Sequence, residues 1–109
     1  LSFLKDASGA SARATWDSLR SRYPREVSRI LRHLVGVDNG GLPNVNAALS
    51  RADKILRNPG PHLYWWNVGA VGVFYMREGT HTIVVHAAET VSQSPYYSQH
   101  DLRQAEGRL

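Results

Sequence analysis

The sequence contains no cysteine, and this absence narrows the chemistry that the chain can carry. Disulfide bonds, thiolate zinc sites and cysteine nucleophiles are excluded, so the hydrophobic core alone must stabilise the fold. Long apolar runs are missing too. The most apolar stretch, residues 63–76, is too short to cross a bilayer and is interrupted by Asn67. The sequence also lacks a phosphate-binding loop, a nucleophile elbow, a dinucleotide fingerprint, an EF-hand loop and internal repeats. We therefore expect neither a membrane span nor a motif-based nucleotide or hydrolase site.

Lysine is scarce, and arginine outnumbers it 11 to 2. The net charge of +4 arises within residues 13–32, where six arginines stand against Asp17 and Glu26. The guanidinium group of arginine can donate two parallel hydrogen bonds to a phosphate or a carboxylate, which favours a nucleic acid or an acidic protein as partner. Codon usage in a GC-rich genome produces the same bias, so both interpretations stay open.

Length and periodicity predict one domain over residues 1–109, with a helical layer at about 11–57. Apolar residues recur at helical spacing in three stretches, which predicts helices at 12–22, 25–35 and 45–57. Pro24 is expected at the first position of the second helix. Proline has no backbone N–H to donate, and an N–H at that position would have no partner within the helix. Leu1, Phe3 and Leu4 predict a short strand or docking segment before these helices.

The pattern changes after residue 62 to runs of β-branched and aromatic residues. Residues 63–68, 71–76 and 82–87 predict a three-stranded antiparallel meander, within a sheet at about 62–88. Ser98 and Asp101 form a capping-box pattern that predicts a terminal helix over 99–108, in a tail at about 98–108. The fold class is therefore α+β, with N-terminal helices packed on a small antiparallel meander and a short C-terminal helix.

This order of elements resembles the RelE/ParE superfamily of small bacterial toxins. The matching stretches are residues 16–19 in the first helix, 58–59 before the sheet, 64–69, 73–75 and 83–87 in the strands, and the tyrosines Tyr96 and Tyr97 after the last strand. The family's G-x-x-R step is Gly69-Ala70-Val71-Gly72 here, without arginine. The basic residues that the family carries after its third strand are replaced by residues 87–90, which include Glu89.

The resemblance implies a bacterial toxin domain that acts on RNA as a metal-independent endoribonuclease, without a cofactor. A cognate antitoxin or immunity protein would neutralise it, and ribosome-associated mRNA or tRNA would be its substrate. Its site of action would be the cytoplasm, whether the chain acts alone or is delivered as part of a larger secreted protein. Two alternatives remain open: a non-enzymatic toxin of the same fold that blocks a protein target such as gyrase, and a basic RNA- or protein-binding module.

Cleavage of RNA needs a base for the 2′-hydroxyl, an acid for the leaving oxygen and a positive charge for the phosphorane. We expect His86, at the end of the third predicted strand, to act with Tyr97 or His100, and Arg77 or Arg103 to supply the charge. The alternative for His86 is an edge or core histidine that is hydrogen-bonded to a backbone carbonyl. No histidine pair has metal-ligand spacing, so no metal site is expected.

Two further groups are candidates for binding RNA or a partner. Arg22, Arg25, Arg29 and Arg32 recur every three or four residues, which predicts one basic stripe if the helix continues through Pro24. Strand alternation places Trp65 on the face opposite Tyr64 and Trp66, as a base-stacking platform or as a core residue. A solvated helix face is the alternative for the arginines.

Overall fold

A mixed sheet with helices on both faces organises the part of the chain that the computed structural model describes, residues 1–5, 12–38, 54–55, 63–78, 81–90 and 97–109. In chain order the elements are β1 (Ser2–Phe3), α1 (Ala12–Arg22), α2 (Pro24–Asp38), β2 (Lys54–Ile55), β3 (Tyr64–Val68), β4 (Val71–Glu78), β5 (His81–Glu89) and α3 (Gln99–Arg108). The five strands lie in the order β1-β5-β4-β3-β2, with β1 parallel to β5 and the other neighbours antiparallel. The α+β class and the central meander are confirmed.

The two N-terminal helices meet at Tyr23, next to the proline that the sequence predicts as a boundary. The amide of Tyr23 donates to the Leu19 carbonyl at 2.7 Å, and its carbonyl accepts from the Val27 amide at 3.1 Å. Pro24 is the first residue of α2, where a missing donor is tolerated. α2 extends to Asp38, three residues beyond the predicted end.

One face of the sheet, here the α1–α2 face, is covered by these helices. Its core contains the apolar residues Ala12, Trp16, Leu19, Val27, Ile30 and Leu34 of the helices and Trp66, Val71, Val73, Tyr75, Val84 and Ala87 of the strands. The helical residues follow spacings of three and four, as the periodicity predicts. Trp16 lies under the sheet in this core, in the same cluster as Leu19, Ile30 and Val84.

The opposite face, here the α3 face, is covered by the terminal helix. Ala105 and Leu102 of α3 pack against a cluster that includes Trp65 and Phe74, whose ring centroids are 4.7 Å apart. Ser98 caps this helix, because its hydroxyl accepts from the Asp101 amide at 3.0 Å. The capping box therefore predicted α3 correctly.

The prediction of a third helix over residues 45–57 is wrong near its C-terminal end. Lys54 and Ile55 form the edge strand β2 and pair with Trp65 and Tyr64 of β3. Pairing along a sheet edge overrides the helical spacing of the apolar residues there. The rest of that predicted helix, residues 45–53 and 56–57, lies outside the described residues.

β5 contains a bulge, which interrupts the alternation of its side chains between the two faces of the sheet. Phe74 pairs with His86 and Tyr75 pairs with Val84, which leaves Val85 without a partner on β4. An extra residue of this kind shifts the pleat by one position. Val85 and His86 therefore share the α3 side, whereas uninterrupted alternation predicted opposite faces for them.

Candidate functional site

His86, the residue most strongly expected to do chemistry, lies between β5 and α3. Its Nε2 atom is 3.3 Å from the Oδ1 atom of Asp101, and the two side chains are only 12% and 18% exposed. Asp101 is held in turn by Ser98, whose hydroxyl donates to Oδ2 at 2.7 Å. The first turn of α3 thus fixes a carboxylate against the imidazole of the strand.

The surroundings of His86 keep its ring neutral near pH 7. Burial lowers the pKa of His86, and the hydrogen bond and negative charge of Asp101 only partly oppose this effect, while Arg108 and His100 reinforce the lowering. Nε2 of the neutral ring then donates to Asp101, which leaves Nδ1 as the basic atom. That atom is buried and has no hydrogen-bond partner among the described residues. Asp101 thus orients the His86 ring, whose other nitrogen is buried.

The other residues of the predicted catalytic group are only partly gathered around His86. Tyr97 packs edge-on against Phe74, with ring centroids 5.7 Å apart, and Phe74 also pairs with His86. His100 is exposed on α3 and is close enough to add to the lowering of the His86 pKa, whose main cause is burial.

Arg77 is separate, because it follows Tyr75 by two residues on β4 and therefore lies on the α1–α2 face. The expectation that Arg77 joins His86 is therefore wrong. Arg103 is exposed on α3, and Tyr96 lies outside the described residues.

Trp65 is a core residue. It has no exposed surface, and its ring packs against Phe74 and Tyr97. The predicted stacking platform is therefore corrected, because an RNA base cannot reach this ring. Trp66 on the other face is also buried and stacks on His33, with centroids 3.9 Å apart and planes 9° apart.

Three of the four stripe arginines come together on the exposed side of α2. Arg25, Arg29 and Arg32 line an open groove of about 730 Å³. We call this surface the arginine groove; its remaining lining residues are Pro24, Glu26, Ser28 and Val68. Arg22 does not join the groove lining, because the helix restarts at Pro24 and the α1 residue turns toward the end of β5.

Arg22 instead enters a cluster that the sequence did not reveal. Its Nη1 atom donates to Oε2 of Glu89 at 2.9 Å, and the hydroxyl of Tyr23 donates a hydrogen bond to Oε1 of the same carboxylate. The bond from Tyr23 and then the one from Arg22 lower the pKa of Glu89, and the bond to Glu89 is the main cause of a raised pKa for Tyr23. We call these three residues the Glu89 network. The partners are more than 60 positions apart, so no spacing pattern pointed to them.

Comparison of the chain with models of protein families, with curated proteins and with solved structures gives no match. Among the described residues, no group of three or more histidine and carboxylate side chains is arranged to hold a metal ion. The described helices include none that is both long and apolar enough to span a membrane.

Proposed function

We propose that the chain binds RNA through the arginine groove. The observation that carries this proposal is the convergence of Arg25, Arg29 and Arg32 on one concave, exposed surface. Positions 25, 29 and 32 recur at helical spacing, so the three guanidinium groups follow the helix axis over about 10 Å, at 1.5 Å per residue. A phosphodiester backbone presents charges along a line in the same way.

Guanidinium groups suit this task because they stay charged and donate hydrogen bonds in a fork that matches two phosphate oxygens. Ser28 adds a hydroxyl to the groove, and Glu26 is the one acidic side chain among its described lining residues. Each phosphate that is neutralised releases counterions, so binding should weaken steeply with salt. The net charge of +4 favours the same class of partner at long range.

The broader assignment that we propose is a toxin domain of RelE/ParE-like architecture, acting in the bacterial cytoplasm. Two helices followed by an antiparallel meander and a short terminal helix support it. In this proposal an acidic segment of a cognate antitoxin or immunity protein competes with RNA for the arginine groove. A non-enzymatic toxin directed at a protein would use the same groove but would not need RNA.

Endoribonuclease activity centred on His86 is a second candidate function. The 3.3 Å contact between its imidazole and Asp101, with His100 and Tyr97 nearby, is the observation that favours it. This candidate requires Nδ1 of His86 to become accessible to substrate, because that atom is buried in the structure. Replacement of His86 by glutamine should then reduce RNA cleavage by about 10²–10⁴-fold, the usual contribution of one acid or base.

RNA binding can be tested by reversing two charges in the groove. The double variant Arg25→Glu/Arg29→Glu should bind a fluorescent single-stranded RNA at least about tenfold more weakly. The slope of log affinity against log salt should fall by about 1.4, since each lost phosphate contact removes about 0.7 for single strands. Anisotropy titrations at several salt concentrations measure both quantities.

The matched control is Arg13→Glu/Arg20→Glu, which makes the same change in net charge on α1. These two arginines lie near Asp17, at 3.7 and 3.8 Å, and do not line the groove. We expect the control to change affinity much less. Equal losses in the two double variants would show that net charge, and not the groove, attracts the RNA.

A further inference from the structure

The Glu89 network lies beside the arginine groove. Tyr23 immediately precedes Pro24, which lines the groove, and Glu26 connects the two regions. The carboxylate of Glu26 is close enough to add to the raised pKa of Tyr23, whose main cause is the hydrogen bond to Glu89. The ideal Cβ position of Gly69, in the turn after β3, is 3.4 Å from Cγ of Glu26, so the β3–β4 turn borders the same region.

The network is open to solvent, unlike His86. The side chains of Arg22 and Glu89 are 54% and 46% exposed, whereas that of His86 is 12% exposed. A carboxylate offers about four lone-pair positions, and two are used by Arg22 and Tyr23. A substrate hydroxyl can therefore approach Glu89 without displacing either partner.

The backbone around the network is firmly held. Tyr23 is fixed by hydrogen bonds to both helices, through Leu19 and Val27. Behind Glu89, the amide of Thr90 donates to the Ala70 carbonyl at 2.7 Å and its hydroxyl donates to the Gly69 carbonyl at 3.0 Å. Groups placed on rigid elements in this way are organised before a substrate arrives.

We propose that Glu89, Tyr23 and Arg22 form an acid–base site that cleaves the ribose-phosphate backbone of RNA held in the arginine groove. This inference rests on the proposed RNA binding and assigns the cleavage to residues other than His86. The three side chains fit this reaction. The carboxylate supplies the base, the phenol supplies the acid and the guanidinium supplies the positive charge that RNA cleavage needs.

In the proposed step, the Glu89 carboxylate accepts the proton of a ribose 2′-hydroxyl while the 2′-oxygen forms a bond to phosphorus. The bond from phosphorus to the 5′-oxygen breaks, and the Tyr23 hydroxyl turns its proton away from Glu89 and donates it to that leaving oxygen. Arg22 faces the negative charge that develops on the phosphoryl oxygens. Glu89 then returns its proton to Tyr23 along their hydrogen bond. The products are a 2′,3′-cyclic phosphate and a 5′-hydroxyl, and no co-reactant is consumed.

The test incubates the full chain with total bacterial RNA and measures fragments that end in a 2′,3′-cyclic phosphate. Glu89→Gln and Tyr23→Phe should each reduce cleavage by about 10²–10⁴-fold. Asp17→Asn is the matched control, because it also neutralises an exposed carboxylate that pairs with arginines on α1. Asp17→Asn should retain cleavage within about threefold. Glu89→Asp should retain part of the activity that Glu89→Gln loses, because aspartate keeps the carboxylate.

Binding is measured separately with a 2′-O-methyl RNA, which cannot be cleaved because its 2′-oxygen carries no proton. Glu89→Gln and Tyr23→Phe should bind this RNA within about twofold of the unchanged chain.

Binding without any cleavage by the unchanged chain would overturn the acid–base site and leave the proposed groove intact. Full cleavage by both variants, or loss of cleavage in His86→Gln alone, would also overturn it. If Glu89→Gln does not fold, Tyr23→Phe decides the question, since it removes only one hydroxyl. Failure to bind the RNA at all would instead contradict the groove.

Discussion

The imidazole of His86 lies 3.3 Å from the carboxylate of Asp101, and this contact joins the last described strand to the last helix. Ala105 and Leu102 add apolar contacts between α3 and the sheet. Because Ser98 orients the carboxylate, the helix cap and the docking contact are parts of one arrangement. The pair therefore stabilises the position of α3, whether or not it has a catalytic role.

This arrangement predicts that stability falls on acidification. The folded state lowers the pKa of His86, chiefly through burial, from about 6.5 in the unfolded chain. The unfolded state therefore binds more protons below that value, and stability present above about pH 6.5 is lost as pH falls toward the folded pKa. Urea unfolding between pH 8 and pH 5 should show this decrease.

The control for the pH prediction is His86→Gln, which removes the titrating group but keeps a polar side chain. The difference in unfolding free energy between the unchanged chain and the variant should depend on pH only below about 6.5. Its slope there should stay below about 1.4 kcal/mol per pH unit, the limit for one proton. Parallel pH profiles for the two proteins would show that His86 does not contribute.

The helical core offers a test of packing. Trp16 is 4% exposed and packs edge-on against Phe3, with ring centroids 5.6 Å apart. Trp16→Ala should reduce the unfolding free energy by about 3–5 kcal/mol, because a large buried ring is replaced by a cavity. Leu31→Ala is the control, since Leu31 is 41% exposed on α2 and should change stability by less than about 0.5 kcal/mol. Similar losses in both variants would contradict the assigned burial.

The helices could be predicted because their signals are local. Trp16 and Leu19 repeat at helical spacing, Pro24 marks a helix start, and Ser98 with Asp101 marks another. Each signal depends on residues within one or two turns, where backbone geometry fixes the neighbours. The structure therefore agrees with the sequence most closely in these segments.

The edge strand and the bulge could not be predicted in the same way. Lys54 and Ile55 form a strand because β3 lies beside them, and apolar spacing carries no information about that neighbour. Val85 is the extra residue of the bulge, yet the run of β-branched residues around it reads the same with or without the irregularity. Tertiary pairing decided both features.

The candidate sites show the same division between local and distant contacts. Arg25, Arg29 and Arg32 share one helix face, so their grouping followed from sequence spacing. Glu89 meets Arg22 and Tyr23 only because the end of β5 lies under the corner between α1 and α2. The place of His86 at a strand end is visible in the sequence, whereas no local pattern points to Glu89.

Gly72 on β4 provides the last prediction, because a neighbouring ring occupies the space that a side chain would need. An ideal Cβ atom at Gly72 would overlap the six-membered ring of Trp65, which is fully buried and packed against Phe74. Trp65 cannot move aside without displacing that cluster, so Gly72→Ala should lower the unfolding free energy by about 1–3 kcal/mol.

The matched control is Gly36→Ala in α2, where among the described residues no atom lies within 4 Å of the ideal Cβ position. Alanine has the higher helix propensity there, so this variant should gain about 0.5–1 kcal/mol. The same substitution should thus have opposite signs at the two glycines, measured by urea unfolding at pH 7.5, where His86 is neutral in both states. A stabilised Gly72→Ala variant would mean that Trp65 does not fill the space over β4. The α3 face would then need a different packing, and Trp65 would again be available as a surface for a partner.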